Sequence, residues 1–147
     1  MEKKAIIHFH QGWTDIIVCI GIVFYQLSRY DHIILLMRED AKPMIDFIFR
    51  NKPNIEIAYI IPANTQQRDC TEAIIVRTFA EKHKDYQQLF YGALGHSLGL
   101  DVDAGSYDWF YKNFSIDSNN AYISFLIDRD LNLEKEKYND LISKIGT

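Results

Sequence analysis

The stretch Ala5–Ile17, with the sequence AIIHFHQGWTDII, decides the fold of this chain. It joins an apolar run typical of a buried strand, a short polar loop with one glycine, and the apolar start of a helix. In α/β proteins, ligands bind where the carboxyl end of a strand meets the amino end of the next helix. This junction therefore predicts both a fold class and the place of a candidate site.

Length and composition predict one α/β domain over residues 1–147. Hydrophobic residues make up 48% of the chain, which is enough to build a sizeable core and argues against disorder. The 16 basic and 20 acidic residues give a net charge of −4. This charge argues against a nucleic-acid partner, because nucleic-acid binding needs a basic surface.

The two cysteines and the lengths of the apolar runs predict a cytoplasmic protein without an integral membrane span. Cys19 and Cys70 are too far apart in sequence to suggest a zinc site or a disulfide framework. The longest apolar run, Ile16–Tyr25, is too short to cross a bilayer. Met1–Lys4 leads directly into the first strand, with no signal-peptide pattern.

The first two thirds of the chain alternate strands and helices. The segment Ile16–Ile20 is β-branched and would suit a strand, but the length of the Pro-free run around it favours a helix. The order predicts a mostly parallel sheet of four or five strands, with the first strand central and helices on both faces. The predicted strands are Lys4–Phe9, His32–Met37, Ile55–Ile61 and Gln88–Tyr91, and the predicted helices are Thr14–Arg29, Asp40 to about Arg50, and Cys70–Lys84.

The pattern changes after residue 99. Tyr107–Phe114 predicts a short aromatic helix, and Ala121–Ile127 suits either a strand or an extended crossing segment. Asp130 is the expected N-cap of a last helix that runs to about Ile145, with an apolar stripe on one side.

Asp15 is the first candidate for chemistry. A carboxylate at a helix start can accept a proton from a substrate hydroxyl, and the helix dipole favours its ionised form. Asp is also a preferred N-cap residue, so a purely structural role at the same position stays open. We name Asp15 as the candidate catalytic residue.

Two histidines precede that loop and share one face of the predicted strand. His8 is expected to be half-buried and satisfied by its neighbours, whereas His10, beside the loop, is expected to bind a polar ligand. No third metal-ligating residue follows at a spacing typical of metal sites, so we predict no metal site.

The loop itself holds two further candidates. Gly12 would allow a close approach that a side chain forbids, and Trp13 could stack on a sugar or a base or simply cover the helix start. The segment matches neither G-x-G-x-x-G nor the P-loop pattern, and we predict no cofactor.

Loops after the second and fourth strands should lie at the same sheet edge. Arg38 could pair with a phosphate or with Asp15, and a solvated charge cluster with Glu39 and Asp40 is the alternative. Gly92 and His96 belong to a Gly-rich loop whose backbone could hold an anion.

Three segments carry a family resemblance: the opening loop, Leu36–Arg38, and Phe125–Leu131 (FLIDRDL). Together they resemble GT-B-type glycosyltransferase-like proteins, distantly similar to the ADP-heptose:lipopolysaccharide heptosyltransferases. In that family the first loop carries Gly-Asp before an apolar helix, and the Asp is the presumed base for the acceptor hydroxyl. Here Gly12 and Asp15 occupy that loop, separated by Trp13 and Thr14.

The resemblance implies a Rossmann-like three-layer domain that forms the N-terminal, acceptor-side half of a GT-B fold. Its expected activity is sugar transfer from a nucleotide-sugar to a hydroxyl acceptor. The donor is held mainly by the second domain in that family, so the 147-residue chain alone is expected to be inactive. The alternative is a non-catalytic sugar- or nucleotide-binding module that acts with a partner chain. The expected partners are a nucleotide-sugar or a glycan acceptor, and either a second copy in a homodimer or a second GT-B-type domain.

Overall fold

The structure of the chain, a computed structural model, describes residues 2–10, 13–63, 71–92, 116 and 130–145. Strands and helices alternate in the order predicted from the sequence. The elements are β1 (Lys4–His10), α1 (Trp13–Leu27), β2 (His32–Arg38), a 3-10 turn (Glu39–Ala41), α2 (Lys42–Phe49), β3 (Ile55–Ile61), α3 (Thr71–Glu81), β4 (Gln87–Gly92) and α4 (Leu131–Ile145).

The four described strands form one parallel sheet in the order β3-β2-β1-β4. β1 and β2 are inner strands, and their apolar sequences suit burial on both faces. The interior of β2, from Ile33 to Met37, is entirely buried. The predicted parallel sheet with a central first strand is thereby confirmed, with four strands.

Side chains alternate between two buried layers. One layer lies between the sheet and helices α1 and α2, and includes Ile7, Leu35, Ile20 and Ile45. The other lies between the sheet and α3, and its members are Ile6, Ile34, Leu36, Ile61, Val76, Ala80 and Phe90. The domain therefore has the three-layer, Rossmann-like α/β architecture that the sequence predicts.

The strand order places a topological switch point between β1 and β4. From β1 the chain moves outward through β2 to β3, with α1 and α2 as the connections. It then returns along the opposite face through α3 to reach β4 on the other side of β1. Right-handed crossovers require this change of face, because the direction of travel across the sheet reverses.

Most predicted boundaries differ from the observed ones by one to three residues, while β3 matches. α1 ends at Leu27, two residues before the predicted end. A turn follows it, in which the amides of Arg29 and Tyr30 both donate hydrogen bonds to the carbonyl of Gln26. β1 is one residue longer than predicted, because His10 pairs with Gly92 of β4.

Helix α4 begins as predicted, and the Asp130 carboxylate accepts a hydrogen bond from the Leu133 amide at 3.0 Å. Lys144 and Asp140 form an i,i+4 ion pair at 2.7 Å.

The predicted elements at Tyr107–Phe114 and Ala121–Ile127 lie outside the described residues, and so does Cys70. Cys19 is fully buried, as expected for a small apolar side chain.

Candidate functional site

The carboxyl edge of the sheet gathers the ends of four strands. His10, Arg38, Ile61 and Gly92 are the last residues of β1, β2, β3 and β4. Because the connections to α1 and α3 leave from this edge, both helices begin on this side of the sheet. Ligands of doubly wound sheets bind in the crevice at such an edge, at the switch point. The candidate site therefore lies over β1 and β4.

The backbone brings several sequence-predicted residues to this edge. His10 and Gly92 are register partners across the switch point. Trp13 and Asp15 are the first and third residues of α1, the helix that follows β1. The ligand roles of His10, Trp13 and Asp15 stay predictions, and Gly12 and His96 lie outside the described residues.

Arg38 connects three segments at the end of β2. Its Nε and Nη2 donate to the two carboxylate oxygens of Asp40 at 3.1 and 3.2 Å, and Nη2 also donates to the carbonyl of Ala63 at 2.6 Å. The side chain is 15% exposed, so the charge cluster is partly buried rather than fully solvated. Fork-like pairing of this kind fixes the guanidinium more firmly than a single contact. The part of Arg38 in binding a phosphate stays a prediction.

A register irregularity contributes to the position of Arg38. Met37 pairs with Tyr59, but Arg38 pairs with Ile61, so β3 contributes one extra residue there. Such bulges redirect side chains at the ends of strands.

The pKa of Arg38 is raised above its ordinary value. The main cause is the hydrogen bond to Asp40, and the charges of Asp40 and Glu72 contribute less, whereas burial lowers the pKa.

A buried pair of ionisable side chains lies beneath the carboxyl edge, on the α3 face. Nε2 of His8 is 3.0 Å from Oε1 of Glu72, and each side chain is only 1% exposed. Nδ1 of His8 faces the carbonyl oxygen of Leu36 at 3.3 Å. The prediction that His8 is half-buried is wrong, because α3 covers it completely and provides Glu72 as its partner.

The surroundings of the pair are apolar. Ile6, Leu36, Phe90 and Val76 belong to the same buried layer. An isolated charge in such surroundings would be very costly, and a buried pair persists only when its partners are well placed. Nε2 of His8 and the Glu72 carboxylate are at ion-pair distance but are not aligned as a regular hydrogen bond.

The ring of His8 has a second contact on its other side. The carbonyl oxygen of Leu36 can only accept, so this 3.3 Å contact is a hydrogen bond in the forms of His8 that carry a hydrogen on Nδ1.

Glu72 was not among the predicted site residues, although its place in α3 carries a signal. Glu72, Val76 and Ala80 recur every four residues and are all buried, so Glu72 extends the apolar stripe of α3 by one turn. A glutamate in line with such a stripe, facing a strand that carries an inward histidine, suggests a buried pair. Periodicity alone does not say which residue of the sheet lies opposite.

The opposite, amino edge of the sheet carries an open, polar cleft of ≈ 810 Å³. Its charged groups largely satisfy each other: Lys4 lies 3.2 Å from Glu2 and 3.7 Å from Asp85. Tyr30 donates to Gln87 at 2.8 Å, and burial raises the pKa of Tyr30. Of the sequence-predicted site residues that the structure describes, none lines this cleft, so the amino edge provides a control surface.

Among the described residues, no group of three or more His, Cys, Asp or Glu side chains is arranged to hold a metal ion. Across the same ranges, no helix combines the length and apolar character needed to cross a membrane. Comparisons with protein-family models, with curated proteins and with solved structures find no match. The geometry of the carboxyl edge is therefore the basis for assigning a function.

Proposed function

We propose that this chain is a glycosyltransferase-like, Rossmann-like domain, the acceptor-side half for sugar transfer from a nucleotide-sugar to a hydroxyl acceptor. In this proposal it binds a sugar or nucleotide-sugar at the carboxyl edge of its sheet. The observation that carries the proposal is the switch point between β1 and β4. There, His10 and Gly92 are paired, and the next helix begins at Trp13 with Asp15 in its first turn. Binding at a switch point is the general behaviour of open α/β sheets.

In the catalytic version of the proposal, Asp15 is the general base. Its carboxylate accepts the proton of an acceptor hydroxyl while that oxygen attacks the anomeric carbon of the donor sugar. The bond between the sugar and the nucleoside diphosphate breaks, and the diphosphate leaves with its electron pair. The amino end of α1 favours the ionised carboxylate that this role needs.

The alternative is a binding module without catalysis, which holds a sugar or nucleotide for a partner chain. The contacts of Arg38 with Asp40 and Ala63, both within the domain, support this alternative. Measurements of ligand binding and of turnover distinguish the catalytic version from the non-catalytic one. Catalysis needs both reactants in near-attack geometry, which lowers barriers by about 7–11 kcal/mol. We expect the 147-residue chain alone to bind without appreciable turnover.

Titration calorimetry tests the proposal with uridine diphosphate glucose, adenosine diphosphate glucose and free glucose as probes. We expect at least one probe to bind, and Asp15→Asn to weaken that binding. The matched control is Asp85→Asn, the same change at the amino edge, where Asp85 lies beside Lys4. Equal binding by both variants, or no binding by the wild type, would reject a carboxyl-edge sugar site.

Self-association or docking to a second domain belongs to the same proposal. The apolar side chains of α4 are exposed: Leu131, Tyr138, Leu141 and Ile142 are between 50 and 66% accessible. Contiguous apolar surface of this kind is commonly covered by a partner. Light scattering at micromolar concentration would detect a dimer, and a strictly monomeric mass would reject it.

A further inference from the structure

The His8–Glu72 pair is an unusual use of a core position. Replacing a buried ion pair by apolar side chains of similar volume is often neutral or stabilising. The pair therefore does not raise stability above what a leucine or isoleucine pair would give at the same place. Its distinguishing property is the need for one particular partner: hydrophobic contacts are non-directional, whereas a buried polar group that moves away from its partner is costly.

The pair joins three elements at one depth in the domain. His8 belongs to β1 and is the register partner of Leu36 in β2, whose carbonyl faces Nδ1. Glu72 is the second residue of α3. The contact therefore links the first turn of α3 to two inner strands of the sheet.

This anchored turn stands next to the candidate site. Arg38 follows Leu36 by two residues on the same face of β2, and the Glu72 charge contributes to its raised pKa. His10 follows His8 by two residues on β1. The contacts of His8 with Leu36 and Glu72 therefore lie near the contacts of Arg38 with Asp40 and Ala63, and the charge of Glu72 acts on Arg38.

We propose that His8 and Glu72 are positioning residues, whose buried contact at 3.0 Å sets the place of the first turn of α3 and thereby the carboxyl-edge site. The ligand part of this inference rests on the proposed function, whereas the positioning part concerns the folded chain itself. The two parts are tested separately.

The first test reads the His8–Glu72 contact directly, by ¹⁵N NMR of the histidine rings in the wild-type chain. The His8 resonances are assigned by their loss in His8→Gln. We expect the Nε2 resonance of His8 to shift in Glu72→Leu, because the carboxylate lies 3.0 Å from that nitrogen. An unchanged Nε2 resonance in Glu72→Leu would overturn the inference.

The second test separates position from stability by amide hydrogen exchange. The amides of Ile75 and Val76 bond the carbonyls of Thr71 and Glu72 and so close the first turn of α3. In the double variant His8→Leu/Glu72→Leu, we expect these amides to exchange at least tenfold faster. The Ile34 amide in the centre of β2, which reports global opening, should exchange at the wild-type rate or more slowly. Unchanged exchange at Ile75 and Val76 would overturn the inference.

A second pair of variants decides the matter if the double variant does not fold. Glu72→Gln keeps the size and can donate to Nε2, whereas Glu72→Met has similar length without a hydrogen bond. We expect Ile75 and Val76 exchange within about threefold of wild type for Glu72→Gln and clear acceleration for Glu72→Met. Equal behaviour of these two variants would overturn the positioning role.

The third test addresses the ligand, with the best of the three calorimetric probes. We expect the double leucine variant to bind it at least tenfold more weakly, and Glu72→Gln to bind within about threefold of wild type. Wild-type affinity in the double leucine variant would overturn the link to the site. Absence of binding by the wild type would instead reject the proposed function, and the first two tests would still decide the positioning role.

Discussion

Arg38 holds both carboxylate oxygens of Asp40 in a fork, with Nε–Oδ1 and Nη2–Oδ2 distances of 3.1 and 3.2 Å. The same guanidinium reaches the Ala63 carbonyl, so one side chain ties the end of β2 to the chain after β3. We predict that Arg38→Lys destabilises the domain by about 1–2 kcal/mol, because an ammonium cannot make the fork. Urea unfolding measures the difference. The control is Lys82→Arg, the reverse exchange at an exposed position just after α3, and an equal loss there would contradict the prediction.

The buried His8–Glu72 pair predicts a large cost for removing one partner. Glu72→Ala leaves His8 in an apolar layer without its carboxylate, and we expect a loss of about 3–5 kcal/mol. Glu81→Ala, on the exposed last residue of the same helix, should change stability by no more than about 0.5 kcal/mol. Chemical denaturation of the two variants, side by side, provides the comparison. Similar denaturant midpoints for Glu72→Ala and Glu81→Ala would show that the pair is not buried in the folded chain.

A surface cluster on the other face predicts a pH dependence. Hydrogen bonds from Lys42 and Tyr59 lower the pKa of Asp46 below its ordinary value of 3.8, and the Tyr59 hydroxyl lies 2.6 Å from Oδ1. A lowered folded-state pKa stabilises the domain above about pH 4, and this contribution is lost as pH falls through the folded pKa.

Asp46→Asn tests that dependence. The cluster is exposed, so we expect it to contribute only about 0.5 kcal/mol at pH 7. The melting temperatures of wild type and Asp46→Asn should differ most at neutral pH and converge below pH 4. A difference that grows on acidification would have the wrong sign for a carboxylate with a lowered pKa.

The N-cap of α4 gives a local prediction. Asp130→Ala removes the acceptor for the Leu133 amide, and we expect the helix to lose about 1 kcal/mol. Asp130→Asn retains an acceptor oxygen and should behave like the wild type. Amide exchange at Leu133 and Glu134 measures the fraying of the first turn. The same rate in all three proteins would mean that Asp130 does not cap the helix.

The sheet could be predicted because local signals and packing agree. The apolar core of β2 indicates a parallel strand buried on both faces, and the Ile55–Ile61 run indicates a neighbouring strand, which is largely half-buried in the structure. The β-branched start of α1 was the difficult case, where helix length correctly outweighed strand propensity. Helix ends were less predictable, since they depend on turns such as the one at Gln26.

The site was only partly predictable, because its decisive contacts join distant segments. Strand polarity alone placed His10, Arg38 and Gly92 at one edge. The partner of His8 lies 64 positions further along the chain, in a helix whose rotation follows from packing rather than from local sequence. The carbonyl of Ala63 as a partner of Arg38 depends in the same way on the register of β3.

Amide NMR titration with the nucleotide-sugar probes tests whether ligands bind at the carboxyl edge, over the β1–β4 switch point. We predict shifts concentrated at His10, Arg38 and Gly92, which end three adjacent strands. The amino-edge residues Lys3, Tyr30 and Gln87 should remain unchanged. Shifts confined to the amino edge, or no saturable shifts with any probe, would contradict the account.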